Sequence, residues 1–72
     1  MEQTIKKVLK INGFDYLFTT SFTIFELMEY LGFNKRVIVI DYNGTILEKS
    51  LWKEIILQNK DCLEILSIAG GG

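Results

Sequence analysis

Apolar and polar residues alternate at the start of the chain. From Ile5 to Asn12, the residues Ile5, Lys7, Leu9 and Ile11 fall on one side, and Lys6, Val8 and Lys10 on the other. That period of two predicts a β-strand. Asn12-Gly13 follows, a strong short-range hairpin signal. Phe14 to Thr19 then reads as the return strand, with Phe14, Tyr16 and Phe18 alternating against Asp15, Leu17 and Thr19. Its aromatic content suits a pleated, half-buried surface.

The period then changes. Ile24, Leu27, Met28 and Leu31 lie at i, i+3, i+4 and i+7, one stripe of a helix. Thr23 and Glu26 have the spacing of a capping box, in which each side chain accepts from the other residue's N–H. Phe22 before the cap is placed to act as a hydrophobic staple on Leu27. Gly32 supplies a left-handed stop, with Phe33 as its apolar contact. The spacing predicts a short helix of about ten residues.

Val37 to Ile40 is a continuous apolar run and predicts a strand flanked by others. Asn43-Gly44 is a second turn, and Thr45 to Glu48 a short strand. Ser50 to Lys53 reads as one helical turn, and Glu54 to Leu57 as extended chain. Asn59-Lys60-Asp61 is a polar turn, and Cys62 to Ile68 the last strand. Leu63 and Ile65 take one face of it; Glu64, Leu66 and Ile68 take the other. The helix stripe can be buried only against one sheet face. The order predicts an α+β fold of β-grasp type, a mixed sheet of four to five strands with one main helix on one face. A ferredoxin-like sandwich needs a second full helix, and Leu47 to Leu57 is too short and mixed for one. The domain is expected over residues 1–68, with 69–72 a flexible C-terminal tail.

Composition narrows the function classes. At 72 residues, the chain buries only about 60% of its unfolded surface and has little core to spare for an active-site cavity. A net charge of −1 argues against a nucleic-acid partner. Lys6, Lys7 and Lys10 read as the solvated face of an edge strand. No apolar run approaches the roughly 18 residues of a membrane span, and the first residues do not lead into a signal-peptide segment. The expected setting is a reducing compartment, either bacterial cytoplasm or plastid stroma. The abundance of Ile, Lys, Asn and Phe fits the AT-rich genomes of both.

Catalytic chemistry is hard to assemble. The chain has no histidine and one cysteine, Cys62, which removes the commonest general base and every ordinary Cys/His zinc site. Cys62 has no evident base beside it and reads as an ordinary strand residue. Nothing places Asp41 and Glu48 face to face, and no phosphate-binding glycine pattern is present. The chain is expected to be a non-enzyme with no catalytic residue, no metal site and no bound cofactor.

The run Gly70-Gly71-Gly72 is the unusual feature. At a glycine frequency of about 7%, three in a row at one chosen place arise by chance in roughly one chain in three thousand. The plain alternative is a flexible tail or a leftover linker. A terminal glycine carboxylate, however, passes through a narrow channel and adopts backbone angles closed to other residues. Activation as a mixed anhydride with AMP makes it open to displacement. Attack by sulfur then leaves a thiocarboxylate on Gly72, with Gly70 and Gly71 as the mobile approach.

With these features together, the chain resembles the ThiS family of thiamine-biosynthesis sulfur carriers over nearly its full length. The resemblance rests on Thr23 to Met28, Val37 to Ile40, Leu47 to Trp52, Asp61 before the last strand, and Ile68 to Gly72. The tail is shared with molybdopterin-synthase small subunits and ubiquitin-like modifiers; the short length and the place of Trp52 favour the thiazole branch. Glu48 and Lys49 stand where the family tends to have Pro and Arg, and Lys60 where a Gly often precedes the aspartate. The resemblance implies adenylation of Gly72 by an E1-like enzyme using ATP and magnesium. It further implies sulfur from a cysteine-derived persulfide, and docking on thiazole synthase. Leu66 and Ile68, on the strand leading to the tail, are the expected partner surface, unless Phe14, Tyr16 or Trp52 folds over them. The alternatives are the carrier of molybdenum-cofactor synthesis, a protein modifier attached to lysines, and a plain interaction module.

Overall fold

Both hairpins are made by left-handed Asn-Gly pairs. Asn12 and Gly13 have φ of 52° and 87°, and Asn43 and Gly44 of 50° and 94°, the pattern of the type I′ turn that matches strand twist. The first turn joins β1 (Lys7–Ile11) to β2 (Phe14–Phe18), the second β3 (Ile38–Tyr42) to β4 (Thr45–Leu47). Pairing runs from Ile11 opposite Phe14 to Lys7 opposite Phe18, and from Tyr42 opposite Thr45 to Ile40 opposite Leu47. The computed structural model describes residues 6–68.

The strand order is β2-β1-β5-β3-β4. The last strand, β5 (Cys62–Ser67), therefore sits in the middle. It runs parallel to β1, with Lys10 beside Cys62, and antiparallel to β3, with Ile38 opposite Ser67.

The helix α1 (Ile24–Leu31) is shorter than the periodicity suggested, and its ends are well defined. Thr23 Oγ1 accepts from the Glu26 N–H at 3.1 Å, and Glu26 Oε1 accepts from the Thr23 N–H at 2.9 Å. The remaining first-turn donors find carbonyls outside the helix: Ile24 N–H donates to Ile55 and Phe25 N–H to Trp52. Every helix leaves such donors unpaired internally, and the 47–57 segment supplies their partners. That explains why the segment is a 3₁₀ turn (Lys49–Leu51) followed by irregular chain rather than a second helix. At the other end Gly32 has φ 81°. Its N–H bonds Glu29 O, and Phe33 N–H bonds Met28 O, the Schellman arrangement.

One sheet face and one helix face make the core. Leu9, Ile11, Ile38, Ile40, Leu63 and Ile65 pack against Ile24, Leu27 and Met28, with Trp52 and Leu57 closing the open end. This is the β-grasp arrangement, five strands and one main helix.

Several expectations change in detail. The first strand does not lie at an edge: β1 is flanked by β2 and β5. Lys7 and Lys10 still meet polar partners, Lys7 donating to Ser21 Oγ and Leu57 O and Lys10 lying 3.5 Å from Asp15. Val37 belongs to a 3₁₀ turn, Lys35–Val37, and the third strand extends on to Tyr42. Phe22 turns toward Phe18 and Tyr30, at ring separations of 5.8 and 5.3 Å. The final strand ends at Ser67 rather than Ile68. The start of the first strand at Ile5 lies outside the described residues.

Candidate functional site

The candidate reactive group, Gly72, comes five residues after the end of β5, the central strand, in the sequence. A central strand bonds to neighbours on both sides, so its direction is fixed by two ladders. On one side, Asn12 N–H donates to Leu63 O at 2.9 Å, and Asn12 Oδ1 accepts from Ile65 N–H at 2.7 Å. On the other, β3 pairs with it along its length, and Ile68 N–H donates to Val37 O at 2.8 Å. That bond is the last described anchor before Ala69. Gly70, Gly71 and Gly72 lie outside the described residues.

The start of β5 is held by Asp61, a buried carboxylate at the polar turn. Its Oδ2 accepts from the Tyr42 hydroxyl at 2.7 Å and from Gln58 N–H at 2.8 Å. Its Oδ1 accepts from Asn43 Nδ2 at 3.1 Å, and its main-chain carbonyl accepts from Lys10 N–H. Asn43 Oδ1 in turn accepts from Cys62 N–H at 2.7 Å. Asp61 thus joins β1, the β3–β4 turn and β5 at one point. Desolvation by burial, then the bond to Asp61 and its negative charge, push the Tyr42 phenol up to about 12. Lys60, just before it, has φ 75°, a left-handed conformation that glycine adopts freely.

The sheet face away from the helix carries the residues expected to meet a partner. Leu66 is 45% exposed and Ile68 55%. Val39 stands opposite Leu66 on the same face. Farther from the tail the face turns acidic, with Asp41 opposite Glu64. Trp52 is in the core on the other side, and Phe14 and Tyr16 pair with Ile11 and Leu9, which point to the helix side. None of these three rings covers Leu66 or Ile68.

Cys62 opens β5 half-buried and reduced. Asp41 closes its own turn, its Oδ1 accepting from Gly44 N–H at 2.8 Å. Among the described residues no three His, Cys, Asp or Glu side chains group as metal ligands. No helix of the described chain is long and apolar enough to cross a membrane. Sequence reasoning had marked Asp61 only through the family resemblance. Its partners Tyr42 and Asn43 are 19 and 18 residues away in the chain, a distance at which no local pattern signals the contact.

Three comparisons with known proteins bear on this arrangement. The protein ycf40 of Trieres chinensis is 38% identical over 66 residues, covering 92% of this chain and 90% of that protein. Its counterpart in Porphyra purpurea is 33% identical, covering 89% and 90%. A thiazole synthase of Paramagnetospirillum magneticum contains a segment 34% identical to 89% of this chain, and that segment is 20% of its length. Among solved structures, a thiamine biosynthesis protein (ThiS) from Geobacter metallireducens superposes with a TM-score of 0.78 at 25% identity, covering 90% of this chain and 99% of that one. The ThiS family model matches residues 3–72, through the last glycine. The five-stranded sheet with its one main helix and these matches agree: the chain belongs to the ThiS family, the sulfur carriers of thiamine biosynthesis.

Proposed function

We propose that this protein carries sulfur for the thiazole ring of thiamine as a thiocarboxylate on the terminal Gly72. The observation that carries the reading is the route of β5: it runs through the centre of the sheet and leads directly to Gly70-Gly71-Gly72. A partner E1-like enzyme condenses the Gly72 carboxylate with ATP and magnesium, giving the acyl-adenylate and pyrophosphate. The terminal sulfur of a cysteine-derived persulfide then displaces AMP, giving an acyl disulfide with the donor cysteine, and a thiol reductant cleaves its S–S bond to leave the thiocarboxylate on Gly72 and a thiol on the donor. The globular domain supplies recognition, and the tail reaches the partner's active site because its glycines have no side chains to obstruct it. The protein is a cosubstrate rather than a catalyst.

Thiazole synthase is the proposed sulfur acceptor. The similarity to a segment within a thiazole synthase supports the pairing, since a fused carrier is held at high effective concentration by its linker. Leu66 and Ile68, with Val39, are the proposed docking patch for both partners. The ycf40 relatives, encoded in plastid genomes, support a plastid stroma setting.

The deciding experiment incubates the protein with an adenylating enzyme, ATP, magnesium, a persulfide donor and a thiol reductant, and reads the intact mass. The expected product has one oxygen replaced by one sulfur at the C-terminus, and transfers that sulfur to thiazole synthase. Deletion of Gly71 and Gly72 is expected to abolish both. Sulfur loading or thiazole formation that survives the deletion would refute the carrier reading.

A further inference from the structure

Among the described residues, no strand pairs with the outer edge of β2. The two-residue turn makes Ile11 and Phe14 a hydrogen-bonded pair, and such pairs alternate along an antiparallel ladder. Leu9–Tyr16 and Lys7–Phe18 are therefore bonded pairs. The main-chain groups of Asp15 and Leu17 point away from β1. The same alternation is visible on β1, where Val8, Lys10 and Asn12 turn their groups to the other side, toward Asn59, Lys60, Asp61 and Leu63. Among the described residues, nothing bonds the outward N–H and C=O groups of Asp15 and Leu17.

Edge strands are ordinarily blunted by lysine, proline, a bulge or a covering segment. The sequence Phe14-Asp15-Tyr16-Leu17-Phe18 has no lysine or proline, and its pairing with β1 is regular from end to end. Its one charge, Asp15, is engaged across the strand by Lys10. Phe14 is 69% exposed, Leu17 59% and Tyr16 45%. Phe14 and Tyr16 also line a groove of about 380 Å³ with Leu31 and Phe33, so the apolar surface continues inward from the edge. The opposite edge strand, β4, has only three residues.

We infer that β2 pairs antiparallel with β2 of a second copy of this chain. The strand is complementary to itself in one register. Centred on Tyr16, all five residues find partners: Phe14 meets Phe18 of the other copy, Tyr16 meets Tyr16, and Asp15 and Leu17 exchange both main-chain bonds. A register centred on Asp15 sets two carboxylates face to face, and one centred on Leu17 leaves Phe14 and Asp15 without partners inside the strand. The chosen register places the three aromatic positions on the helix side of a continuous ten-stranded sheet. Asp15, Tyr16 and Leu17 are on the surface, so no core side chain has to move.

The area sets the strength. At about 150–250 Å² per aromatic side chain, the exposed parts of Phe14 and Tyr16 amount to roughly 170–285 Å² per copy, or about 340–570 Å² in all, to which Leu17 adds. Stable interfaces bury at least about 1,200 Å². The pairing is therefore weak and reversible, and the concentrations that test it run from roughly 10 µM to 1 mM. It forms where the protein is concentrated and releases the monomer as it is diluted.

Sedimentation equilibrium of the full chain across that range tests the pairing. The wild type is expected to pass from monomer to dimer. Asp15→Pro removes one outward N–H while keeping the β1–β2 bonds, and is expected to stay monomeric. Should that variant lose its fold, Tyr16→Lys and Tyr16→Glu decide the matter. Each sets like charges across the two-fold axis, so each alone is expected to be at least tenfold weaker than the wild type, whereas their mixture forms a heterodimer. A wild type that stays monomeric at about 1 mM, a Tyr16→Lys variant that dimerises like the wild type, or an equimolar mixture no tighter than its components would overturn the inference. Sulfur loading of Gly72 is independent of all three outcomes.

Discussion

Replacing Asp61 by Asn keeps the shape of the side chain and removes its charge. Two of its three side-chain bonds, from the Tyr42 hydroxyl and Gln58 N–H, meet Oδ2. If the amide oxygen stays there, both bonds lose charge assistance, about 1 kcal/mol each. The amide nitrogen then faces Asn43 Nδ2, donor against donor, and the lost bond costs about 1–3 kcal/mol. Relief of carboxylate desolvation returns part of this. The expected loss is about 2–3 kcal/mol, against a total of about 4–11 kcal/mol for a domain of this size. With a urea slope near 1 kcal/mol/M, the midpoint falls by about 2–3 M. Trp52 is the only tryptophan and is fully buried, so its fluorescence reports the transition. Burial, the largest cause of the raised Tyr42 phenol, is unchanged in this variant, but the carboxylate charge that adds to it is gone and the bond it receives is weakened, so tyrosinate absorbance is expected to show one phenol titrating at lower pH than in the wild type. A midpoint within about 0.5 kcal/mol of the wild type, or an unchanged phenol titration, would refute the role assigned to Asp61.

Three other outcomes are expected. The raised Tyr42 phenol makes stability fall with alkali: the unfolded phenol loses its proton near pH 10, the folded one near 12. This contribution is full below about pH 10 and is lost as pH rises through the folded value. The gap in urea midpoint between wild type and Tyr42→Phe should narrow over that window; a constant gap would contradict it. Lys60→Gly relieves a left-handed residue at about 1–2 kcal/mol, less about 0.5–1 kcal/mol of added unfolded-state entropy. Thermal unfolding should therefore show a stabilisation of about 0.5–1 kcal/mol, and a lowered Tm would count against the account. Leu66→Asp should leave the urea midpoint within about 0.5 kcal/mol, because Leu66 lies outside the core. It should weaken binding to the adenylating enzyme at least tenfold, measured by calorimetry; unchanged affinity would remove Leu66 from the docking patch.

Much of the architecture is legible in the chain because its cues are local. A period of two, two Asn-Gly pairs, a Thr-x-x-Glu box and a Gly stop each act within a few residues. They place β1, β2, α1 and the β3–β4 hairpin to within a residue or two. The apolar parity of the last strand likewise separates Leu63 and Ile65 from Leu66 and Ile68. The three terminal glycines, with the family resemblance, direct attention to the tail.

Long-range pairing decides the rest. Nothing near Cys62 signals that β5 inserts between β1 and β3, because parallel pairing joins segments with no common turn. That insertion turns the supposed edge strand β1 into an interior one and leaves the apolar β2 as the true edge. Trp52 and Leu57 are irregular in sequence, and only the need to cap α1 and close the core fixes where they go. Asp61 is one polar residue among many until tertiary packing sets Tyr42, Asn43 and Gln58 around it. Periodicity assigns a side chain to a face; the energy of burying that face against another element determines which neighbour it meets.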